Sequence, residues 1–234
     1  MTQTHTSNIA SNMIAIENMQ FAWPRQKALL NIENFTVPAG EKLFLYGPSG
    51  SGKTTLLNLL AGVTLPQQGK IRILDQDLAQ LSGHRRDRFR ARHIGVIFQQ
   101  FNLIPYLSVL DNVLLAAHFA QRKGLEQRAR DLLAALNLPD SVFQRRATQL
   151  SVGQQQRVAV ARALLCEPEL VIADEPTSAL DSDSRERFLQ LLFTAVEQCN
   201  SSLIFVSHDR SLQQQFSRAV DIRELSAGAA HHAA

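Results

Sequence analysis

The segment Gly47–Thr54 combines the residue types and the spacing that bind nucleotide phosphates. Its sequence, GPSGSGKT, fits the pattern GxxxxGK[ST]. The glycines allow the backbone to curl so that successive N–H groups point at phosphate oxygens, and the helix that follows adds the positive end of its dipole. Lys53 supplies a charge for the outer phosphates, and Thr54 supplies a hydroxyl for Mg²⁺. We expect nucleotide contacts from Gly47, Pro48, Ser49, Gly50, Ser51, Gly52, Lys53, Thr54 and Thr55.

Two adjacent acids, Asp174 and Glu175, follow the apolar run Leu170–Ala173. A carboxylate at a strand end beside a phosphate loop can hold Mg²⁺, usually through water. The second acid can orient or deprotonate an attacking water, which makes Glu175 the candidate general base. Taken alone, the pair could be two surface acids at a strand terminus, but the phosphate loop favours the catalytic interpretation.

Gln99 and His208 follow two further apolar runs, His93–Phe98 and Ser202–Val206. In an open parallel sheet, ligands bind outside the carboxyl ends of the strands, and these runs deliver polar groups to that edge. We therefore predict a γ-phosphate contact for His208 instead of a purely structural hydrogen bond. Gln100 competes with Gln99 for a role at this edge, and Gln99 is preferred because it comes first after the strand.

Short apolar strands that alternate with helices would position these groups. The three runs above, together with Lys42–Tyr46, have the composition of buried strands. Helical spacing is present in Lys53–Ala61, Leu125–Leu136, Gly153–Leu165 and Arg185–Gln198. This alternation predicts an α/β fold with a mostly parallel sheet. An antiparallel flank near the N-terminus is predicted from Ile14–Phe21, Ala28–Val37 and Lys70–Leu74.

The composition is that of a globular chain with a substantial core. Of 234 residues, 45% are hydrophobic and 19% are charged, and the net charge of +3 is too small to indicate nucleic-acid binding. Cys166 and Cys199 lack CxxC spacing, which excludes a disulfide scaffold and a cysteine-built zinc site. No apolar run approaches the ~18 residues of a membrane span. Residues 1–12 and 226–234 are expected to form flexible tails.

The segment Gln149–Arg157, QLSVGQQQR, is similar to the signature LSGGQ of the ATP-binding subunits of ABC transporters. The resemblance covers about residues 13–225 and implies a single domain with a P-loop NTPase (RecA-like) core. It also implies an inserted α-helical subdomain at about residues 100–160. The family's other motifs are matched in order by Gln99 (Q-loop), Leu170–Glu175 (Walker B), Ser178–Asp181 (D-loop) and His208 (switch histidine).

The resemblance implies a homodimer that forms when ATP binds. Two copies would sandwich two ATP molecules, and the phosphate loop of one copy would share its nucleotide with Ser151, Gly153 and Gln154 of the other. Val152 departs from the signature, which has glycine at this position. If the position needs a positive φ, the β-branched side chain would impair hydrolysis or dimer closure, whereas in a helix its cost would be small.

Cofactor and catalytic roles follow from the same resemblance. Mg²⁺ would be held by Thr54, Gln99 and Asp174, and the catalytic residues would be Glu175, His208 and Gln99. Trp23 matches the aromatic residue that stacks on adenine in the family, and a flat ring against a purine contributes about 1–3 kcal/mol by analogy with nucleic-acid binders. Phe21 is the rival for this role, and a core tryptophan is the alternative for Trp23.

The segment Arg92–Pro105 is similar to a sequence pattern of one subgroup of the family. This subgroup includes lipoprotein-releasing and macrolide-export ATPases and partners of cell-division permeases. In such systems, the region Phe101–His118 would contact a permease, with Tyr106 and Leu107 in an apolar groove. The alternative is that this region only packs the helical subdomain. The implied location is cytoplasmic, peripheral on the inner face of the membrane. The basic segment His84–His93 is expected to be a solvated helix face.

Two alternatives to a transport ATPase share some of these sequence features. A soluble ABC protein of the DNA-repair or chromosome type would need a long coiled coil between Lys53 and Ser151, and that stretch is too short. A translation factor of this family usually carries two cassettes, and this sequence matches one. A subunit that binds ATP with weak hydrolysis is suggested by Val152 and opposed by the presence of Lys53, Glu175 and His208.

Overall fold

The computed structural model describes residues 12–25, 29–178 and 180–227. In chain order, the strands of these residues are β1 (Asn12–Phe21), β2 (Leu30–Pro38), β3 (Lys42–Tyr46), β4 (Gln68–Ile73), β5 (Gln76–Asp77), β6 (Ile94–Ile97), β7 (Leu170–Asp174), β8 (Ser202–Val206) and β9 (Arg218–Asp221). The α-helices are α1 (Lys53–Leu60), α2 (Gly83–His93), α3 (Val109–Ala120), α4 (Glu126–Ala135), α5 (Val152–Leu164), α6 (Ser182–Gln198) and α7 (Ile222–Ala227).

The strands form one parallel and one antiparallel sheet. The parallel sheet has the order β6-β7-β8-β3-β9, and the antiparallel sheet has the order β2-β1-β4-β5. This confirms the predicted α/β class with a parallel core and an N-terminal antiparallel flank. Strands β5 and β9 were not predicted, because they are short and contain polar or charged residues.

The parallel strands read as continuous apolar runs because both of their faces are covered. Leu43 and Leu45 of β3 pack with β1, β2 and α1, whereas Phe44 between them packs with α5 and α6. The same alternation occurs in β7, where Leu170 and Ile172 face one layer and Val171 and Ala173 face the other. The layers on both faces of the parallel sheet therefore fix the position of its carboxyl edge.

Gly95 of β6 allows α5 to pack closely on the sheet. A Cβ atom at this position would lie 2.4 Å from the carbonyl oxygen of Ala163. Helix α5 in turn contacts α3 and α4, so these three helices form a unit beside the parallel sheet. Among the helices of the described residues, none has the length and apolar character needed to cross a bilayer.

The regular structure extends slightly into both of the predicted flexible tails. Strand β1 begins at Asn12, and α7 extends to Ala227, so residue 12 and residues 226–227 lie in regular elements where flexible tails were expected. The other tail residues, 1–11 and 228–234, lie outside the described part of the chain.

Candidate functional site

The phosphate loop connects the end of β3 to the start of α1. Gly50 and Gly52 have φ of 77° and 96°, a region that favours glycine. A Cβ on Gly52 would also lie 2.9 Å from Leu30 Cδ2. The first helical hydrogen bond of α1 runs from the Leu56 N–H to the Gly52 carbonyl. The N–H groups of residues 53–55 precede it and are free for an anion.

Polar side chains of the loop are arranged around this turn. Lys53 Nζ donates to the carbonyl oxygens of Gly47 at 2.8 Å and Pro48 at 3.0 Å, and the residue is almost fully buried. The hydroxyl of Ser51 is buried and has no hydrogen-bond partner among the described residues. Thr55 is buried on the inner side of α1, so it can offer a ligand its backbone N–H more readily than its side chain. These groups suit an anionic ligand that replaces the carbonyl contacts of the lysine.

Thr54 and Asp174 converge at the base of the loop. Thr54 Oγ1 donates to Asp174 Oδ2 at 3.4 Å. Burial, followed by the charge of Glu175, raises the pKa of Asp174, and the Thr54 hydrogen bond and the Lys53 charge offset part of this rise. A carboxylate with incomplete charge compensation beside a hydroxyl fits a hard cation such as Mg²⁺. No cluster of three or more His, Cys, Asp or Glu side chains that could hold a metal occurs in the described residues. This is compatible with Mg²⁺, which often takes one or two protein ligands plus phosphates and water.

Glu175 and His208 lie in direct contact at the ends of neighbouring strands. Glu175 Oε2 and His208 Nδ1 are 2.8 Å apart, and the Glu175 N–H donates to the carbonyl of Val206 at 3.0 Å. Glu175 has a φ of 44°, which directs its side chain out of the strand path. The His208 side chain is 66% exposed and that of Glu175 is 18% exposed. The two predicted catalytic groups are thus brought together, with the imidazole on the solvent side.

Gln99 and Trp23 are both exposed. Gln99 follows β6, which pairs with β7 through Ile97 and Ala173, so it leaves the sheet at the same edge as Asp174. Trp23 is 38% exposed, whereas Phe21 is 5% exposed, and their rings meet edge to face at 5.1 Å. Phe21 is therefore a core residue, and Trp23 is the ring available to a ligand.

The signature segment forms the beginning of α5. Ser151 caps the helix: its hydroxyl accepts from the Gln154 N–H at 3.3 Å, and Gln154 Oε1 accepts from the Ser151 N–H at 3.0 Å. Val152 is the first residue of the helix and is 50% exposed. Neither Val152 nor Gly153 has a positive φ. The conformation that would penalise a β-branched residue is absent at Val152, so its backbone cost is small.

The phosphate loop and the signature segment line different cavities. A groove of about 820 Å³ includes Thr54 and Asp174 in its wall. A second cavity of about 850 Å³ is lined by Ser151, Val152 and Gly153 together with residues of α4 and α6. The fold therefore brings together the phosphate loop, Asp174, Glu175 and His208, and Ser151 lines a cavity that none of these residues lines.

The buried carboxylate of Asp221 lies beside the phosphate loop and was not predicted from the sequence. Asp221, at the end of β9, is 3% exposed and receives hydrogen bonds from Arg223, which hold the pKa of Asp221 low. Arg210 lies 3.5 Å from the same carboxylate and 4.3 Å from the ring centroid of Tyr46. Gln156, which lies in the signature segment, was given no role from the sequence, and its buried amide donates to the Pro176 carbonyl at 2.7 Å. Asp221 could not be located from the sequence, because only the pairing of β9 with β3 brings it beside Gly47.

The family model described as "ABC transporter" matches residues 30–178. The chain belongs to the ABC transporter family. It is an ATP-binding subunit of that family and an ATPase. This ABC ATPase is 39% identical over 193 residues to the lipoprotein-releasing system ATP-binding protein LolD of Cytophaga hutchinsonii, covering 82% of this chain and 88% of LolD.

A second relative is a longer protein. The macrolide export ATP-binding/permease protein MacB of Chromobacterium violaceum is 40% identical over 202 residues. That match covers 84% of this ABC ATPase and 31% of MacB, so the chain spans about a third of that relative. An uncharacterised ABC transporter ATP-binding protein of Methanocaldococcus jannaschii, MJ0796, is 39% identical over 202 residues, covering 84% of this chain and 86% of the relative.

Solved structures agree in fold. A dimeric structure of the cassette MJ0796, in a post-hydrolysis state bound to ADP and Pi, aligns with this ABC ATPase with a TM-score of 0.80 and 34% identity. The alignment covers 89% of this chain and 94% of the other. This likeness confirms the predicted nucleotide-binding fold.

Proposed function

We propose that this ABC ATPase closes into a homodimer around two ATP molecules and that hydrolysis drives a separate membrane permease of the export or lipoprotein-release type. The observation that carries the dimer is that Ser151 and Thr54 line different cavities of one copy. A two-fold pair of copies can bring each signature to the nucleotide of the other. The names of the relatives LolD and MacB support the transport class.

Nucleotide binding is assigned to the phosphate loop, with Trp23 against the adenine. Residues 47–55 would hold the phosphates through backbone N–H groups, the Lys53 ammonium and the Ser51 hydroxyl, which has no other partner among the described residues. From the second copy, the N-terminal end of α5 would supply the Ser151 hydroxyl and the N–H group of Gly153 to the γ-phosphate, and Gln154 would hold the cap that orients them. ATP therefore forms part of the interface, and the loss of its γ-phosphate loosens the pair.

Hydrolysis is assigned to the edge where Glu175 and His208 meet. Glu175 would accept a proton from a water whose oxygen attacks the γ-phosphorus while the bond to the β,γ-bridging oxygen breaks. His208, on the solvent side of Glu175, would contact the γ-phosphate. Gln99 would approach the same phosphate from the end of β6. The contact between Glu175 and His208 at 2.8 Å supports this pairing of roles.

Mg²⁺ is assigned to Thr54 and Asp174, with Gln99 as a further ligand. The approach of Thr54 Oγ1 to Asp174 Oδ2 and the raised pKa of Asp174 support a cation there. When bound, Mg²⁺ would neutralise charge that develops on the phosphate oxygens. Deprotonated Asp174 is required for this contact, so binding would release a proton wherever the free site is protonated.

The permease is assigned to the α2 and α3 side of the 820 Å³ groove, whose wall also includes Thr54 and Asp174 of the proposed nucleotide site. The predicted contact region Phe101–His118 contributes Asn102, Ile104, Leu115, Ala116 and His118 to its wall. Exposed apolar side chains at Val63, Phe98 and Phe119 also line it, which suits a partner helix. Tyr106, 74% exposed, does not line this groove and would contact the permease only at its margin. The complex would lie on the cytoplasmic face of the membrane, where ATP is available.

Residues 13–225 are proposed to form one ATPase domain. Its helical subdomain, about residues 100–160, would consist of α3, α4 and most of α5, which contact one another. No role in nucleic-acid binding is proposed, because the net charge of +3 is small.

The dimer is tested by the mass of the Glu175→Gln protein with and without Mg-ATP. Because this variant would bind ATP without consuming it, we expect twice the chain mass of 26.0 kDa in size-exclusion chromatography with light scattering. ADP in place of ATP is the control and should leave single chains. A mass that stays at one chain with ATP, even at high protein concentration, would overturn the proposal.

A further inference from the structure

Asp209, the residue directly after His208, is held by two sets of hydrogen bonds. Its Oδ1 accepts from the Ser211 N–H at 3.0 Å and from the Ser211 hydroxyl at 2.7 Å. Its Oδ2 forms an ion pair with Arg185 Nη1 of α6. The Ser207 hydroxyl in turn accepts from the Asp209 N–H at 3.1 Å. The backbone on both sides of His208 is therefore fixed through Asp209.

Arg185 also contacts the chain that follows Glu175. Its Nη2 donates to the Leu180 carbonyl at 3.4 Å. Leu180 belongs to the turn between β7 and α6, in which the Ser178 N–H donates to the Glu175 carbonyl at 3.2 Å. One guanidinium thus joins the turn after Glu175 to the residue after His208. Both side chains of the ion pair are largely shielded, with exposures of 26% for Arg185 and 30% for Asp209.

The imidazole of His208 needs such support because little else holds it. Its side chain is 66% exposed, and among the residues that the structure describes its side-chain hydrogen bond is the one to Glu175. The backbone at residue 208 sets where the ring starts and which rotamers can reach Glu175, so a shift of that backbone would carry the ring away from Glu175 and the phosphate. Misplacement of a catalytic group by about 1 Å can cost 10²-fold in rate.

We propose that Arg185 is a positioning residue for ATP hydrolysis. By pairing with Asp209 while it contacts the Leu180 carbonyl, it keeps His208 at the distance from Glu175 that the reaction requires. This inference rests on the proposed roles of Glu175 and His208. Arg185 itself does not touch the reacting atoms.

The first test measures steady-state hydrolysis by Arg185→Ala and Asp209→Asn. We expect kcat to fall about tenfold in each, as a partial loss of positioning would produce, and KM for ATP to change less than twofold. The matched control is Arg130→Ala, since Arg130 pairs with Glu126 within its own helix α4. Arg130→Ala should keep the wild-type kcat. The proposal would be overturned if Arg185→Ala and Asp209→Asn also kept it.

The second test combines Arg185→Ala with His208→Ala. If Arg185 acts through His208, it should change kcat less than twofold once the imidazole is gone. A purely structural role predicts the same tenfold loss in both backgrounds and would overturn the inference. Asp209→Asn, which keeps the size of the side chain and its bonds with Ser211, provides the same comparison if Arg185→Ala folds poorly. Failure of the proposed function would look different, because His208→Ala alone would then hydrolyse ATP at the wild-type rate.

Discussion

Replacing Glu175 with Gln should lower ATP turnover by about 10²–10⁴-fold, the usual contribution of a general base, and should leave ATP affinity within about twofold. The amide has the shape of the carboxylate and can still bond the His208 ring, which lies 2.8 Å from Glu175 Oε2. It cannot accept a proton from the attacking water. Single-turnover phosphate release and equilibrium nucleotide binding would separate the two effects.

The matched control for this substitution lies at the other end of the same strand. Glu169 precedes β7 and bonds His93 Nδ1 at 3.0 Å, far from the phosphate loop at the carboxyl edge. Glu169→Gln should therefore retain wild-type turnover. Turnover close to wild type in the Glu175→Gln protein would refute its assignment as the base.

Replacing Lys53 with Ala should weaken ATP binding about 10- to 100-fold. A hydrogen bond to a charged group contributes about 1.5–3 kcal/mol, and each 1.4 kcal/mol is tenfold in affinity. In this structure, the Lys53 ammonium is bonded to the carbonyls of Gly47 and Pro48, so it is already directed into the loop that would hold the phosphates. Isothermal titration with a non-hydrolysable ATP analogue measures the change.

Lys123→Ala is the control for the loss of a lysine charge. Lys123 is exposed in the loop after α3 and should leave the affinity unchanged. Because Lys53 is buried, the thermal stability of both variants must be compared before binding is interpreted. Equal ATP affinity in a folded Lys53→Ala protein would exclude the phosphate role of this lysine.

The sheet was predictable wherever apolar residues are covered on both faces. The bounds of β3 and β8 match the predicted runs because the apolar residues of both strands pack among buried core residues on each face of the sheet. Strand β9, with the sequence RAVD, was missed since two of its four residues are charged and it lies at the sheet edge. Its pairing with β3 depends on tertiary placement, which a local pattern does not contain.

The candidate site was predictable only as far as its residues follow strand ends. Glu175 and His208 were placed at one edge by that rule, and the structure brings them into contact. The Arg185–Asp209 pair was not predicted, because it joins residues 24 apart in sequence through the arrangement of α6 and β8. The effect of Val152 could not be decided from its type, since the answer depends on a backbone angle that the structure supplies.

The most direct test of the shared nucleotide site mixes two impaired proteins, Lys53→Ala and Ser151→Arg, at an ATP concentration that saturates the wild type but not the Lys53→Ala loop. In a mixed dimer, one site combines both lesions, and the other combines the intact loop of one copy with the intact signature of its partner. Random pairing makes half of the dimers mixed, so the mixture should regain about a quarter of the wild-type turnover. If loop and signature act within one copy, or if no dimer forms, the mixture stays at the level of the separate proteins, and the account is contradicted.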